Sequence, residues 1–439
     1  MNSSHVFHRR LDRILPSAVR TEGVWIVDAE GKRYIDASGG PICVNIGHGR
    51  AEIAEAISRQ AQMVDYVHGT MFTTQTMEEL ARRLSLHAPR GIERFYFCSS
   101  GSEAVETAMK LARQIQTARG ETDRFRVISR WHAYHGSTLG ALSVTGKPGM
   151  RDPFLPMLPP GIHIPPPYCL RCDYHLTYPG CGVHCAHALE DAIRLEGSRT
   201  ISAFLAETIC GATIGAVVPP PEYYEVIADI CRKHEVLLIL DEVMCGMGRT
   251  GKWFGAEHYG LEPDIMVLGK GLSGGYAALS AVGCREEHID LLFQTPGNFI
   301  HGHTYSHHPV ATAAGLAVVD ILEKEMLVQR ADDLGQYLGK TLKTLEKHPH
   351  VAQVRGIGMM WAVEFVKEKE TLTPFPRKDK VAETIRDHLM ASGVITYPCI
   401  GFAGGEGDAI MLGPPFVITH EELDRVISAL ASVIEKVLG

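Results

Sequence analysis

Apolar and polar positions in the middle of the chain alternate between two rhythms. Short unbroken apolar runs, such as Val236-Leu237-Leu238-Ile239-Leu240 and Ile265-Met266-Val267-Leu268, have the length and composition of strands buried on both faces of a sheet. Between such runs lie stretches with helical spacing. One is 103–115, whose apolar positions Val105, Ala108, Met109, Ala112 and Ile115 share a face, and another is 223–234. Further strands are predicted at 94–97, 126–129, 202–206 and 278–282. This alternation predicts a doubly wound α/β fold, a largely parallel sheet with helices on both faces.

The ends of the chain follow a different pattern. Near the N-terminus, 25–28 followed by the Gly31-Lys32 turn predicts a small hairpin. After Pro309 the pattern predicts a long helix at 310–325, a further amphipathic stretch, a strand at 359–365 and a closing helix at 421–437. The reading is therefore a large domain over 61–308 and a small domain assembled from 1–60 and 309–439. No repeat or low-complexity linker interrupts it.

Composition fits a globular chain with a large core. Of 439 residues 45% are hydrophobic and 21% charged, enough for two domains. The net charge of -8 offers no basic surface for a phosphate backbone, which excludes nucleic acid as a partner class. No apolar run reaches spanning length, so no membrane partner is expected. The first ten residues, Met1 to Arg10, lack the apolar segment of a secretory signal. With eleven cysteines in such a chain, reduced thiols and a cytoplasmic setting are the expectation.

Candidate chemistry begins where two apolar runs stop. One ends in Asp241 and the other, through Gly269, in Lys270. Ligands of an open α/β sheet collect at the C-terminal ends of its strands. An acid and an amine delivered there suit pyridoxal phosphate (PLP): the amine forms an imine, and the carboxylate keeps the pyridine nitrogen protonated. Taken singly, either residue reads more readily as a solvated loop charge. The segment Cys98-Ser99-Ser100-Gly101-Ser102-Glu103 follows a strand and opens a helix. It reads as a phosphate seat at a helix N-terminus, as an ordinary capping box, or as both. A rival pattern, Gly246-Met247-Gly248-Arg249-Thr250-Gly251, matches the dinucleotide fingerprint. It is separated from its strand by Asp241-Glu242, and Lys252-Trp253-Phe254-Gly255 is a poor helix start, so a nicotinamide dehydrogenase is disfavoured.

Taken together, these segments resemble the class III aminotransferases, PLP enzymes of fold type I. The resemblance is carried by Leu240-Asp241-Glu242-Val243, Gly246 to Gly251, Pro263-Asp264-Ile265 and Gly269-Lys270-Gly271-Leu272, in that order and spacing, and it extends over nearly the whole chain. It implies a mostly parallel seven-stranded sheet in the large domain and a smaller α+β domain. It also implies a role for each matching residue. Lys270 would hold PLP and, once displaced, carry a proton between Cα and C4′, helped by a pKa depressed by burial. Asp241 would bond the pyridine nitrogen. Val243 and Tyr134 would cover the two ring faces, Gly101 and Ser102 would bind the phosphate, and Glu207 would lie near the ring hydroxyl. After Glu207 the family usually has proline, and here Thr208 stands instead. Thr304 would reach the phosphate of a neighbouring subunit, which makes a homodimer with shared sites the expected unit, whether or not it pairs further into a tetramer.

The implied reaction moves an amino group from an amine or amino-acid donor to a keto acid or aldehyde by a ping-pong mechanism. Racemases, aminomutases and decarboxylating relatives share the apparatus and stay open as alternatives at this point. Many relatives that use keto acids carry an arginine for the carboxylate before a Pro-Pro pair, whereas residues 393–415 here contain none. With Pro41, Ile42, Cys43, Phe72 and Tyr397, this predicts a largely apolar pocket and an ω-amine or hydrophobic amine donor. Separately, Cys169, Cys172, Cys181 and Cys185 have near-zinc spacing and read either as a tetrahedral metal site or as reduced thiols in a long loop.

Overall fold

A computed structural model describes residues 5–295 and 298–439. Met1 to Ser4, the start of the N-terminal stretch read above for an export signal, lie outside the described residues. The central sheet has seven strands, in the order Ile92–Cys98, Ser280–Arg285, Ile265–Leu268, Leu237–Asp241, Ile201–Glu207, Arg126–Arg130 and Ile162–Ile164. Neighbours from Ile265–Leu268 to the Ile162–Ile164 edge are parallel, and only Ser280–Arg285 runs antiparallel to those beside it.

The unbroken apolar runs have the predicted cause. Strands Ile201–Glu207, Leu237–Asp241 and Ile265–Leu268 are buried along their whole length. Ala203, Leu205, Leu237 and Ile239 face the helix Gly101–Ala118 through Val105, Ala108, Ala112 and Ile115. Phe204, Ala206, Leu238 and Leu240 face the other way, against Tyr223, Tyr224 and Ile227 of the helix Tyr223–Lys233. Both faces are thus covered by helices, and the strand ends become the open edge of the core.

The chain ends meet in a shared sheet. Ala18–Glu22, Trp25–Asp28 and Arg33–Asp36 form an antiparallel meander, and Val394–Ile395 joins its edge in parallel, Val394 opposite Ile35 and Ile395 opposite Asp36. The strand expected at 359–365 is Met360–Phe365, the second of four antiparallel strands with Val351–Ile357, Glu406–Leu412 and Tyr397–Ala403. Helices Pro309–Lys324, Leu327–Leu342 and His420–Leu438 complete this part, the last opened by a Thr419/Glu422 capping box. Among the described residues no helix is long and apolar enough to cross a membrane.

Candidate active site

Two neighbouring parallel strands end in acids at the same level. Glu207 lies opposite Asp241 in register, and Asp241 lies opposite Val267 on its other side. The Val267 strand continues past Leu268 through an extended Gly269 to Lys270, which turns with φ 44°. That left-handed conformation costs a non-glycine residue about 1–2 kcal/mol and aims the side chain across the strand ends. Protein encloses the ammonium, and this burial lowers its pKa from the ordinary 10.5 against the opposing pull of Cys43, Asp241 and Glu207. A neutral amine is a nucleophile and a base, so the displacement favours both tasks.

Asp241 is held at both oxygens. Oδ1 accepts from the Val243 amide at 3.0 Å, and Oδ2 lies 2.7 Å from Nδ1 of the buried His135. A carboxylate oxygen accepts, so Nδ1 is the donor of this bond. His135 Nε2 is buried with no hydrogen-bond partner among the described residues. Glu207 accepts from the amides of Tyr134 at 3.0 Å and Gly211 at 2.8 Å, while burial raises its pKa. Thr208, standing where the resembling family usually has proline, donates its hydroxyl to Glu242 at 2.6 Å.

The segment after Cys98 is a capping box and an anion seat together. Ser100 Oγ accepts from the Glu103 amide, and the Glu103 carboxylate accepts from the amides of Ser99 and Ser100. This leaves the amides of Gly101 and Ser102 with no acceptor among the described residues, pointing out of the helix N-terminus. The Ser137 amide donates to Ser102 Oγ at 3.0 Å, and a Cβ on Gly136 would sit 2.6 Å from that oxygen. Only glycine lets the Tyr134 loop close over the helix end.

Seven of the eight expected cofactor residues, Gly101, Ser102, Tyr134, Glu207, Asp241, Val243 and Lys270, line one cavity of about 190 Å³. His135, Gly136, Ala212 and Met244 also line it. An amide-rich helix end, an aromatic ring, an acid and a displaced amine in one cavity fit the phosphate, ring, pyridine nitrogen and carbonyl of PLP. Thr304, the eighth, is exposed and outside the cavity of its own chain, its carbonyl accepting from Tyr66 at 3.0 Å.

The remaining candidates divide. Gly246 to Gly251 form a run of turns, followed only by the short 3-10 segment Gly255–Tyr259, so the dinucleotide fingerprint lacks its helix. Cys169, Cys172, Cys181 and Cys185 are free thiols lining a separate cavity of about 20 Å³. No group of three or more His, Cys, Asp or Glu residues is arranged to hold a metal among the described residues. The zinc expectation therefore finds no ligand set. The pocket expected to be largely apolar is so over most of its lining, with charged groups among it. Pro41 and Tyr397 line the wider cavity above Lys270, but Arg9, Lys147, Asp152, Asp173 and Arg377 line it as well. Ile42 is packed in the core and Phe72 is 65% exposed.

The family model for class III aminotransferases matches residues 6–434. The chain belongs to the class III aminotransferases. An omega-transaminase from Thermomicrobium roseum, described as (S)-enantioselective, is 39% identical and superposes with a TM-score of 0.93 over 100% of this chain and 97% of its own. A putrescine–pyruvate aminotransferase of Pseudomonas aeruginosa is 37% identical over 93% of this chain and 88% of the relative. An omega-transaminase from Pseudomonas jessenii, solved in complex with PMP, is 33% identical with a TM-score of 0.91 over 96% of this chain and 93% of its own. The aminotransferase therefore has the fold of type I PLP enzymes, uses PLP, and transfers an amino group from an amine donor to a keto-acid acceptor. The cofactor supplies a carbonyl that condenses with amines and a ring that withdraws the electron pair released at the substrate carbon. His135, like Gly136, Ala212 and Met244, lines this site without a role assigned from the sequence. Its signal was its place between Tyr134 and Gly136, two residues that the site also uses.

Proposed function

We propose that Lys270 anchors the cofactor and, once released, moves the proton at the reacting carbon, with Asp241 holding the proton on the pyridine nitrogen. The convergence of these two with Glu207, Tyr134, Val243 and the Gly101-Ser102 helix end around one cavity carries this reading. Bonds from Val243 and His135 hold the Asp241 carboxylate in place at both oxygens. The free amides of Gly101 and Ser102 take the phosphate, Val243 and Tyr134 cover the ring faces, and Glu207 approaches the ring hydroxyl. Thr304 of the partner subunit completes the phosphate site, so the working unit is a homodimer. The small domain comprises 1–60 and 309–439 around the large domain 61–308. Free cysteines support a reducing, cytoplasmic setting.

The preferred donor is an ω-amine or hydrophobic amine. Support comes from the arginine-free segment 393–415 and from relatives named for putrescine and as omega-transaminases. Purified protein should be yellow, lose that colour on adding an aryl-alkyl amine and regain it with pyruvate. Bleaching by the amine should be at least tenfold faster than by alanine. Faster bleaching by short amino acids would contradict the donor class, and a colourless protein that takes up no PLP would contradict the site.

A further inference from the structure

The cavity above Lys270 is large, about 1160 Å³, and three cations line it: Arg9, Lys147 and Arg377. They are not equivalent. The Arg377 guanidinium is engaged by Glu383 and, at 3.2 Å, by Asp408. Arg9 lies exposed in the N-terminal segment. Lys147 sits in the turn Gly146-Lys147-Pro148-Gly149, half-buried, and its ammonium makes no hydrogen bond or ion pair among the described residues. Burial lowers its pKa from 10.5, and the nearby charges of Arg9 and Arg377 push the same way. Asp152 and Asp173 line the same cavity, yet neither forms an ion pair with it.

Holding a half-buried ammonium without a counterion costs free energy, and a purely structural role recovers none of that cost. A ligand that brings the missing negative charge recovers it. In a ping-pong reaction donor and acceptor use one site, so a keto acid must carry its carboxylate into this cavity. Residues 393–415 offer that carboxylate no arginine, while Lys147 is a free cation on a cavity that also reaches Lys270. We propose that Lys147 is the receptor for the substrate carboxylate, binding the acid group of the acceptor while its carbonyl carbon lies at Lys270. This rests on the transaminase reading of the Lys270 site. Lys147 binds and orients; it does not touch the reacting bond. Apolar amine donors then occupy the same cavity without needing Lys147, which reconciles an ω-amine donor with a keto-acid acceptor.

The test compares acceptors in which only the acid group is replaced by methyl: pyruvate against acetone, and succinic semialdehyde against butanal. Each pair is measured as a ratio of kcat/KM with one amine donor, for the wild type, Lys147→Met and Lys147→Arg. A charge-assisted hydrogen bond contributes about ten- to hundredfold in binding, so Lys147→Met should lower a ratio by that factor, mostly through KM, with Lys147→Arg restoring part of it. A fall in the pyruvate ratio places the bound carboxylate beside the reacting carbon, and a fall in the succinic semialdehyde ratio places it at the far end. Ratios within twofold of wild type in both pairs would overturn the proposal. Should Lys147→Met not fold, as judged by loss of bound PLP colour, Lys147→Gln carries the same comparison. A wild type that turns over none of the four acceptors would instead overturn the transaminase reading.

Discussion

The bond between His135 and Asp241 joins residues 106 positions apart, and both side chains are shielded from solvent. A buried bond to a carboxylate contributes about 1.5–3 kcal/mol, so His135→Ala should lower kcat/KM by about ten- to hundredfold. Steady-state kinetics at saturating PLP would check this, and a change below twofold would mean that Asp241 needs no such support. Lys270 gives a pH-dependent outcome for the apo-protein. Its lowered pKa means that the unfolded chain binds more protons than the fold between the folded value and 10.5, so stability rises with pH through that window. Lys270→Met should therefore stabilise the apo-protein more at pH 7 than near pH 10, as paired urea titrations would show. Lys270 and Asp241 were legible in the sequence because each ends an apolar run. His135 was marked only by its place beside Tyr134, because its contact with Asp241 crosses strand ends and no local pattern encodes it.

Among elements, the helix Gly101–Ala118 carries the clearest division between stability and function. Its first residue is glycine, and a Cβ there would lie 3.3 Å from Val243 Cγ1 and crowd the seat in front of the free amides. Gly101→Ala should leave stability unchanged or raise it by up to about 1 kcal/mol through helix propensity. It should weaken PLP binding about tenfold or more, read by titration of the apo-protein. Between the Glu207 and Asp241 strands, Thr208→Ala removes one of three donors to Glu242, whose pKa burial raises to about 7. The expected loss is about 1–3 kcal/mol of unfolding free energy at neutral pH. The long buried strands and amphipathic helices could be read from periodicity alone. Ile162–Ile164 could not, being three residues before Pro165-Pro166-Pro167. Nor could Tyr397–Ala403 and Glu406–Leu412, where Gly401, Gly404, Gly405 and Gly407 break the alternation that marks a strand.

At the scale of the whole molecule, the exposed Thr304 is part of a surface with an unusual apolar content. Tyr66 bonds its carbonyl and packs edge-on against Tyr305, and nearby Met71 and Phe72 are 72% and 65% exposed. Such a patch is the kind of surface that a second copy covers. Sedimentation should give twice the 48.2 kDa chain mass, and Thr304→Ala should weaken PLP binding without changing that mass. Sequence periodicity carries no trace of this arrangement, since a residue serving a neighbouring site looks like any loop residue in its own chain. The central claim, that Lys270 is the group to which the cofactor attaches, is tested most directly by borohydride reduction of the PLP-loaded protein followed by peptide mapping. The predicted result is one phosphopyridoxyl group per chain on Lys270. Its appearance on Lys147, the other lysine of the cavity, or on no lysine at all, would contradict the account.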